Sequence, residues 1–218
     1  MNQNIPVSTA PGSVANRLPF AAVAGIVLAL WVLAVALEAF IQAGLILPPL
    51  SVALEFLPGL LGLAVLFAAG FNAGEVYLRP RPFSRRGLLL LLAPLPLLAP
   101  VYLTGRWAGW NRLSLLFYAP AGALAQVLFF RCALLPVCLR SLPGRPVLAV
   151  LLAALLHGFW HIGPLVQGAA WYAALPVMLV PFVASVLWNL QVRLDRTVLW
   201  AAALHILVDQ GLSLFAYG

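Results

Sequence analysis

The sequence predicts an all-α, polytopic membrane bundle of about seven transmembrane helices, occupying residues 1–218 as a single integral membrane domain. Three observations carry this. Hydrophobic residues make up 64% of the 218 positions and charged residues 8%, with a mean hydropathy of +1.06; a soluble domain carries roughly 25% charged residues. Apolar runs of about 20 residues, the length that crosses a bilayer, recur along the chain. Short gaps rich in proline, glycine and arginine separate them.

In chain order, residues 1–19 form a polar tail. The apolar run after it, Phe20 to Leu47, exceeds the 7–15 residues of a signal-peptide core and reads as a retained first span, 20–43. The second span, 49–70, runs against Glu55 and the prolines Pro48, Pro49 and Pro58. Arg79-Pro-Arg-Pro marks the turn before the third span, 87–104. The fourth covers 113–139. Leu142-Pro-Gly-Arg-Pro precedes the fifth, 147–166, the sixth covers 171–191, and Val192-Arg-Leu-Asp-Arg leads to the seventh, 197–216.

Charge sets orientation and partners. The net charge of +7 comes from arginine, since the chain has no lysine. The arginines fill the gaps between spans, a topological signal, so the bilayer is the partner and nucleic acid is not. A cytoplasmic N-terminus places Arg17, Arg79, Arg81, Arg85, Arg86, Arg140, Arg145, Arg193 and Arg196 inside, with Arg106 and Arg112 outside. The C-terminus then lies outside, and the location is the cell (inner) membrane. Trp107, Trp110, Trp171 and Trp200 fall near span ends, as an interfacial belt does. Cys132 and Cys138 lie six apart on one helix and do not suit a disulfide.

Ionisable groups inside spans are costly unless paired or hydrated, and each is a functional candidate. Gln126 and Arg131 lie in the fourth span, His157 and His161 in the fifth, and His205 and Asp209 in the seventh. All three histidines of the chain are in this set. His157/His161 and His205/Asp209 are each four apart, so each pair shares a helix face. At 1.5 Å per residue, Gln126, His161 and Asp209 fall roughly 18–21 Å from the cytoplasmic ends of their spans, His157 at about 15 Å, and Arg131 and His205 at about 12 Å. Taken singly, such a residue is often an interhelical hydrogen-bonding group; three helices delivering polar groups to a similar level point to a site. Glu38 and Glu55, isolated near span ends or prolines, read as lining a wet edge or snorkelling.

In order, these segments resemble the CPBP family of intramembrane endopeptidases (CAAX proteases and bacteriocin-processing enzymes, Abi), whose motifs are Glu-Glu-x-x-x-Arg, Phe-x-x-x-His and His-x-x-x-Asn/Asp. Gln126-Val127-x-x-x-Arg131 stands at the first motif, His157-Gly-Phe-Trp-His161 at the second and His205-Ile-Leu-Val-Asp209 at the third, over residues 113–217. The resemblance implies cleavage of a peptide bond in a membrane-associated substrate. His161 and His205 would position water or stabilise the oxyanion, Asp209 would orient His205 or polarise the site, and Arg131 would be a structural cation paired with a partner such as Asp209 or snorkelling. The family's paired glutamates are here Gln126 and Val127, and an amide holds water but cannot take its proton. His157 replaces the family's Phe, and Cys132 the Gly after the Arg. Gly74-Glu75-Val-Tyr-Leu-Arg79 imitates half of the first motif, but Pro80 and Pro82 end it, and Glu75 reads as a loop-proximal acid.

Several functions stay open on these residues. One is endopeptidase activity by Gln126, Arg131, His161, His205 and Asp209; another is a non-catalytic relative that binds a peptide or protein partner. A third is a metal or haem site built from His157, His161, His205 and Asp209, a donor set suited to a divalent ion such as zinc that could generate hydroxide without a glutamate. An ion-coupled carrier would be expected to show an internal repeat, and none is visible. A thiol protease would need Cys132 accessible.

Overall fold

Lipid offers no partners to backbone polar groups, so an apolar chain of this kind closes its hydrogen bonds within helices. The computed structural model describes residues 18–99, 103, 106–107 and 112–216; Arg17, Trp110 and most of the polar tail lie outside the described residues. Among the described residues five helices are long and apolar enough to cross a membrane. They are α1 (Phe20–Gln42), α2 (from Pro48 to Ala68), α4 (Ser114–Ser141), the stretch Pro146–Val166 that begins with α5 (Pro146–Trp160), and α6 (Trp171–Asp195). Two further segments, α3 (Arg85–Leu92) and α7 (Leu199–Leu212), are shorter.

The second span forms despite its prolines. Two of them open α2, where the first-turn N–H groups have no intrahelical partner to lose. Pro58 lies inside it, as membrane helices tolerate.

The third span differs from expectation. Its helix stops at Leu92, and a 3-10 turn follows at Leu95–Leu98. Pro94 and Pro96 cannot donate to an α-helical ladder, which breaks the helix there. The segment packs along the C-terminal part of α6. Ser84 N donates to Asp195 at its start, Trp188 Nε1 donates to Leu91 O, and Leu95 and Leu98 face Val180 and Pro181. Beyond it, Arg106–Trp107 pairs antiparallel with Phe215–Ala216, past the far end of α7. Among the described residues the expected third span is a short helix and a 3-10 turn rather than one continuous helix, and such backbone is tolerated where protein covers it. The seventh span is likewise shortened, ending at Leu212 before that two-residue strand.

Close approach of helices comes from small residues. A Cβ on Gly62 would lie 2.8 Å from that of Ala133, and one on Gly158 would lie 2.9 Å from Met178 O and from Phe182 Cβ. Indoles tie helix to helix through backbone carbonyls: Trp31 to Leu156 O (2.9 Å) and Trp160 to Ala34 O (3.1 Å). Trp107 and Trp171 are exposed, as a belt residue would be, whereas Trp200 bonds Arg81 O and stacks edge-on against Phe83.

The arginine-bearing loops gather at one end of the bundle. Arg140 lies over the rings of Phe20 and Phe71, Arg196 lies over Tyr77, and Val198 N donates to Tyr77 O. Burial raises the Tyr77 phenol above its ordinary value, with Arg196 and Arg193 opposing. Glu75 sits in this loop, accepting from Asn72 N and Nδ2 at 2.8 and 2.7 Å, as its loop-proximal reading requires.

Candidate active site

The site lies where α4, α5 and α7 meet. Two stretches of α4, Ser114–Tyr118 and Val127–Leu134, are wound as π-helix, a form that concentrates at functional positions. On an α-helix residues five apart point about 140° away from each other; the wider π turn brings them closer to one face. Gln126 stands at the junction and Arg131 inside the second π stretch.

On α5 the helix ends at Trp160, and His161 is its C-cap rather than a mid-helix residue. Pro164 has no N–H to offer the carbonyl of Trp160, which explains the break. His161 Nδ1 lies 3.1 Å from His157 O. A carbonyl only accepts, so the proton is on Nδ1 and Nε2 carries a lone pair. His157 Nε2 donates in the same way to Gln126 Oε1, at 3.2 Å. Its ring packs against Phe130, Trp160, His161 and His205, with centroids 4.3, 6.3, 5.3 and 6.4 Å away. On α7, His205 Nε2 faces Asp209 Oδ1 at 3.6 Å, an ion-pair distance.

Gln126, His157, His161, His205 and Asp209 therefore line one cavity of about 120 Å³, walled on its apolar side by α6 and the 3-10 turn after α3. Arg131 is not on its wall. The guanidinium is fully buried, its three nitrogens find no hydrogen-bond partner among the described residues, and its Cζ lies 5.2 Å from the Trp188 ring. The expected ion pair with Asp209 is not formed, because Asp209 is turned to His205, and the buried side chain does not snorkel. Arg131 touches the site through Trp188, whose ring is 5.2 Å from that of His205.

Residues 107–210 match a family model described as Rce1-like, a type II CAAX prenyl endopeptidase. This half of the chain belongs to the CAAX-protease (CPBP) family. No curated protein and no solved structure matches the chain. In the CAAX-protease region the two positions of the lost glutamates behave differently. Gln126 reaches the cavity, whereas Val127 is buried in the hydrophobic core.

Among the described residues no three His, Cys, Asp or Glu side chains converge as a ligand group. His157 is committed to Gln126 and to a stack of aromatic rings, which turns it away from shared ligation with His161 and Asp209. Cys132 is fully buried in the core and does not line the cavity.

Two groups were not singled out as site residues from sequence. Glu38 and Glu55 are not isolated: both line a second, small cavity of about 20 Å³, with Gln126, Phe130 and Trp160. Gln126 is common to the two cavities. On α6, Trp188, Asn189, Gln191 and Asp195 form a buried polar face that holds the third crossing, with Gln191 Nε2 donating to Asp195 at 3.0 Å. The run Trp188-Asn-Leu-Gln191 inside an apolar span was the available signal for that face.

Proposed function

We propose that the chain is an intramembrane endopeptidase of the CAAX-protease type, a single membrane domain that hydrolyses a peptide bond in a membrane-associated substrate. The observation that carries this reading is the cavity shared by Gln126, His157, His161, His205 and Asp209 at the family's three motif positions. Its apolar wall of Leu95, Leu98, Val180 and Leu212 suits a substrate with a lipid tail, so a peptide with a prenylated C-terminus is the first to test. His161 Nε2 accepts a hydrogen bond from water and holds it beside the scissile carbonyl. His205, oriented by Asp209, faces the carbonyl oxygen and stabilises the oxyanion as it forms. Arg131 and Trp188 position His205 from behind. The test is cleavage of prenylated and unprenylated peptides by the purified protein in liposomes, with His205→Ala as the inactive control.

The non-catalytic reading has one observation in its favour: the amide of Gln126, bonded to His157, cannot take a proton from water. It predicts peptide binding to wild type without cleavage. In either case the arginine-rich end faces the cytoplasm and the C-terminus lies outside, so a reporter fused after Gly218 should be found on the outer side.

A further inference from the structure

A peptidase of this kind needs a proton acceptor, and neither motif position holds one. We propose that Glu55, on α2 and outside the family-matched region, is the general base of this site. The proposal rests on the endopeptidase reading above.

The chain has five acids, Glu38, Glu55, Glu75, Asp195 and Asp209. Four are engaged: Glu38 accepts from Gln42 Nε2, Glu75 from Asn72, Asp195 from Ser84 N and Gln191, and Asp209 faces His205. Among these five acids Glu55 alone makes no hydrogen bond or ion pair with the described residues. It lies about two turns inside α2, too deep for a short side chain to reach the membrane edge. A carboxylate left without a partner at that depth is expensive, and packing alone gives no reason to keep it.

Its position matches the missing function. Glu55 Oε2 lies over α4 at Gly122, where an added Cβ would be only 3.3 Å away. Gly122 is one turn before Gln126 on the same face, so the absent side chain leaves the room that the carboxylate occupies. Gln126 is the shared wall between the cavity of Glu55 and the cavity of the histidines. A water held by the Gln126 amide is thus reachable from both sides.

The step balances without a further reagent. The water oxygen bonds to the carbonyl carbon as Glu55 takes its proton, and the carbonyl electron pair moves to the oxyanion facing His205. The C–N bond then breaks, the oxyanion pair re-forms the carbonyl, and the proton on Glu55 passes to the leaving nitrogen. The products are a carboxylic acid and an amine.

The test compares wild type, Glu55→Gln and the double variant Glu55→Gln/Gln126→Glu in liposomes, with the same peptides and a thermal unfolding scan. Loss of a general base lowers rate by 10²–10⁴-fold. Glu55→Gln should lose about 10²-fold or more in kcat at unchanged KM and lose the acid limb of the pH profile. The double variant should regain most of the rate, because the carboxylate returns to the family's position. Glu55→Gln within threefold of wild type, or a loss that the double variant does not recover, overturns the assignment. Should Glu55→Gln fail to fold, Glu55→Asp replaces it: retraction by one methylene should lower kcat about tenfold or more, and an unchanged kcat overturns the assignment. Cleavage that needs His205 but not Glu55 refutes the base and leaves the peptidase reading standing. No cleavage of any peptide by wild type refutes both.

Discussion

Residues 107–210 carry the family match, the three histidines, Arg131 and Asp209, yet at the first motif, where the resemblance implies glutamates, they have an amide and a valine. Residues 20–98 fall outside the match, yet they bring two carboxylates, Glu38 and Glu55, to a cavity walled by that same Gln126. The contrast teaches that which acids border a site depends on the space the helices enclose as well as on a motif. A base lost from one helix can be supplied by its neighbour if backbones approach closely, and α2 packs against α4 through Gly62 and Ala133, with Gly122 leaving space for the acid.

The largest expected effect tests the matched half. His205→Ala removes the donor facing the oxyanion and should lower kcat/KM by about 10²–10³-fold, measured by peptide cleavage, with the unfolding midpoint little changed. Activity retained within tenfold would break the assignment of α7 to the site. The exchange between the halves comes next. Gln126→Glu alone adds a carboxylate beside His157 and should raise the rate, provided the cavity and not the motif sets the chemistry. Val127→Glu should instead destabilise, since that position is in the core and a buried unpaired charge is costly. Thermal unfolding separates the two.

Packing between the halves gives a smaller effect. Gly62→Leu forces a branched side chain against Ala133 and should cost about 1–3 kcal/mol, read from unfolding of the reconstituted protein. It should also lower activity by displacing Glu55. A stable Gly62→Leu with full activity would show that the α2–α4 approach does not matter to the site. The smallest is Trp31→Phe, which removes one indole hydrogen bond to Leu156 O and should cost about 0.6–1.7 kcal/mol without changing cleavage.

Much of this was legible in the sequence because it depends on local composition. A run of apolar residues must become a helix in lipid whatever surrounds it, so α1, α2, α4, α5 and α6 appear close to their predicted bounds. The i, i+4 spacing of His157 and His161 and of His205 and Asp209 also survives, since the geometry of a single helix determines it. Even the ordering of the three motifs was enough to find the family. The third crossing was less legible, because prolines 94 and 96 weigh against an apolar pattern that by itself favours helix.

Which polar groups meet was decided only by tertiary structure. Spacing left Arg131 to Asp209 or to the membrane surface; packing buried it against Trp188 and turned Asp209 to His205. Spacing made His157 one of four ligands; Phe130, Trp160 and Gln126 claimed its ring and its Nε2 proton instead. Glu55 read as an isolated acid because its neighbours in the chain are apolar, and its neighbours in space come from a helix more than sixty residues on. The hydrophobic effect places a helix in lipid from its own residues, but a hydrogen bond or a shared cavity needs a second helix, and the choice of that helix is a property of the packed bundle.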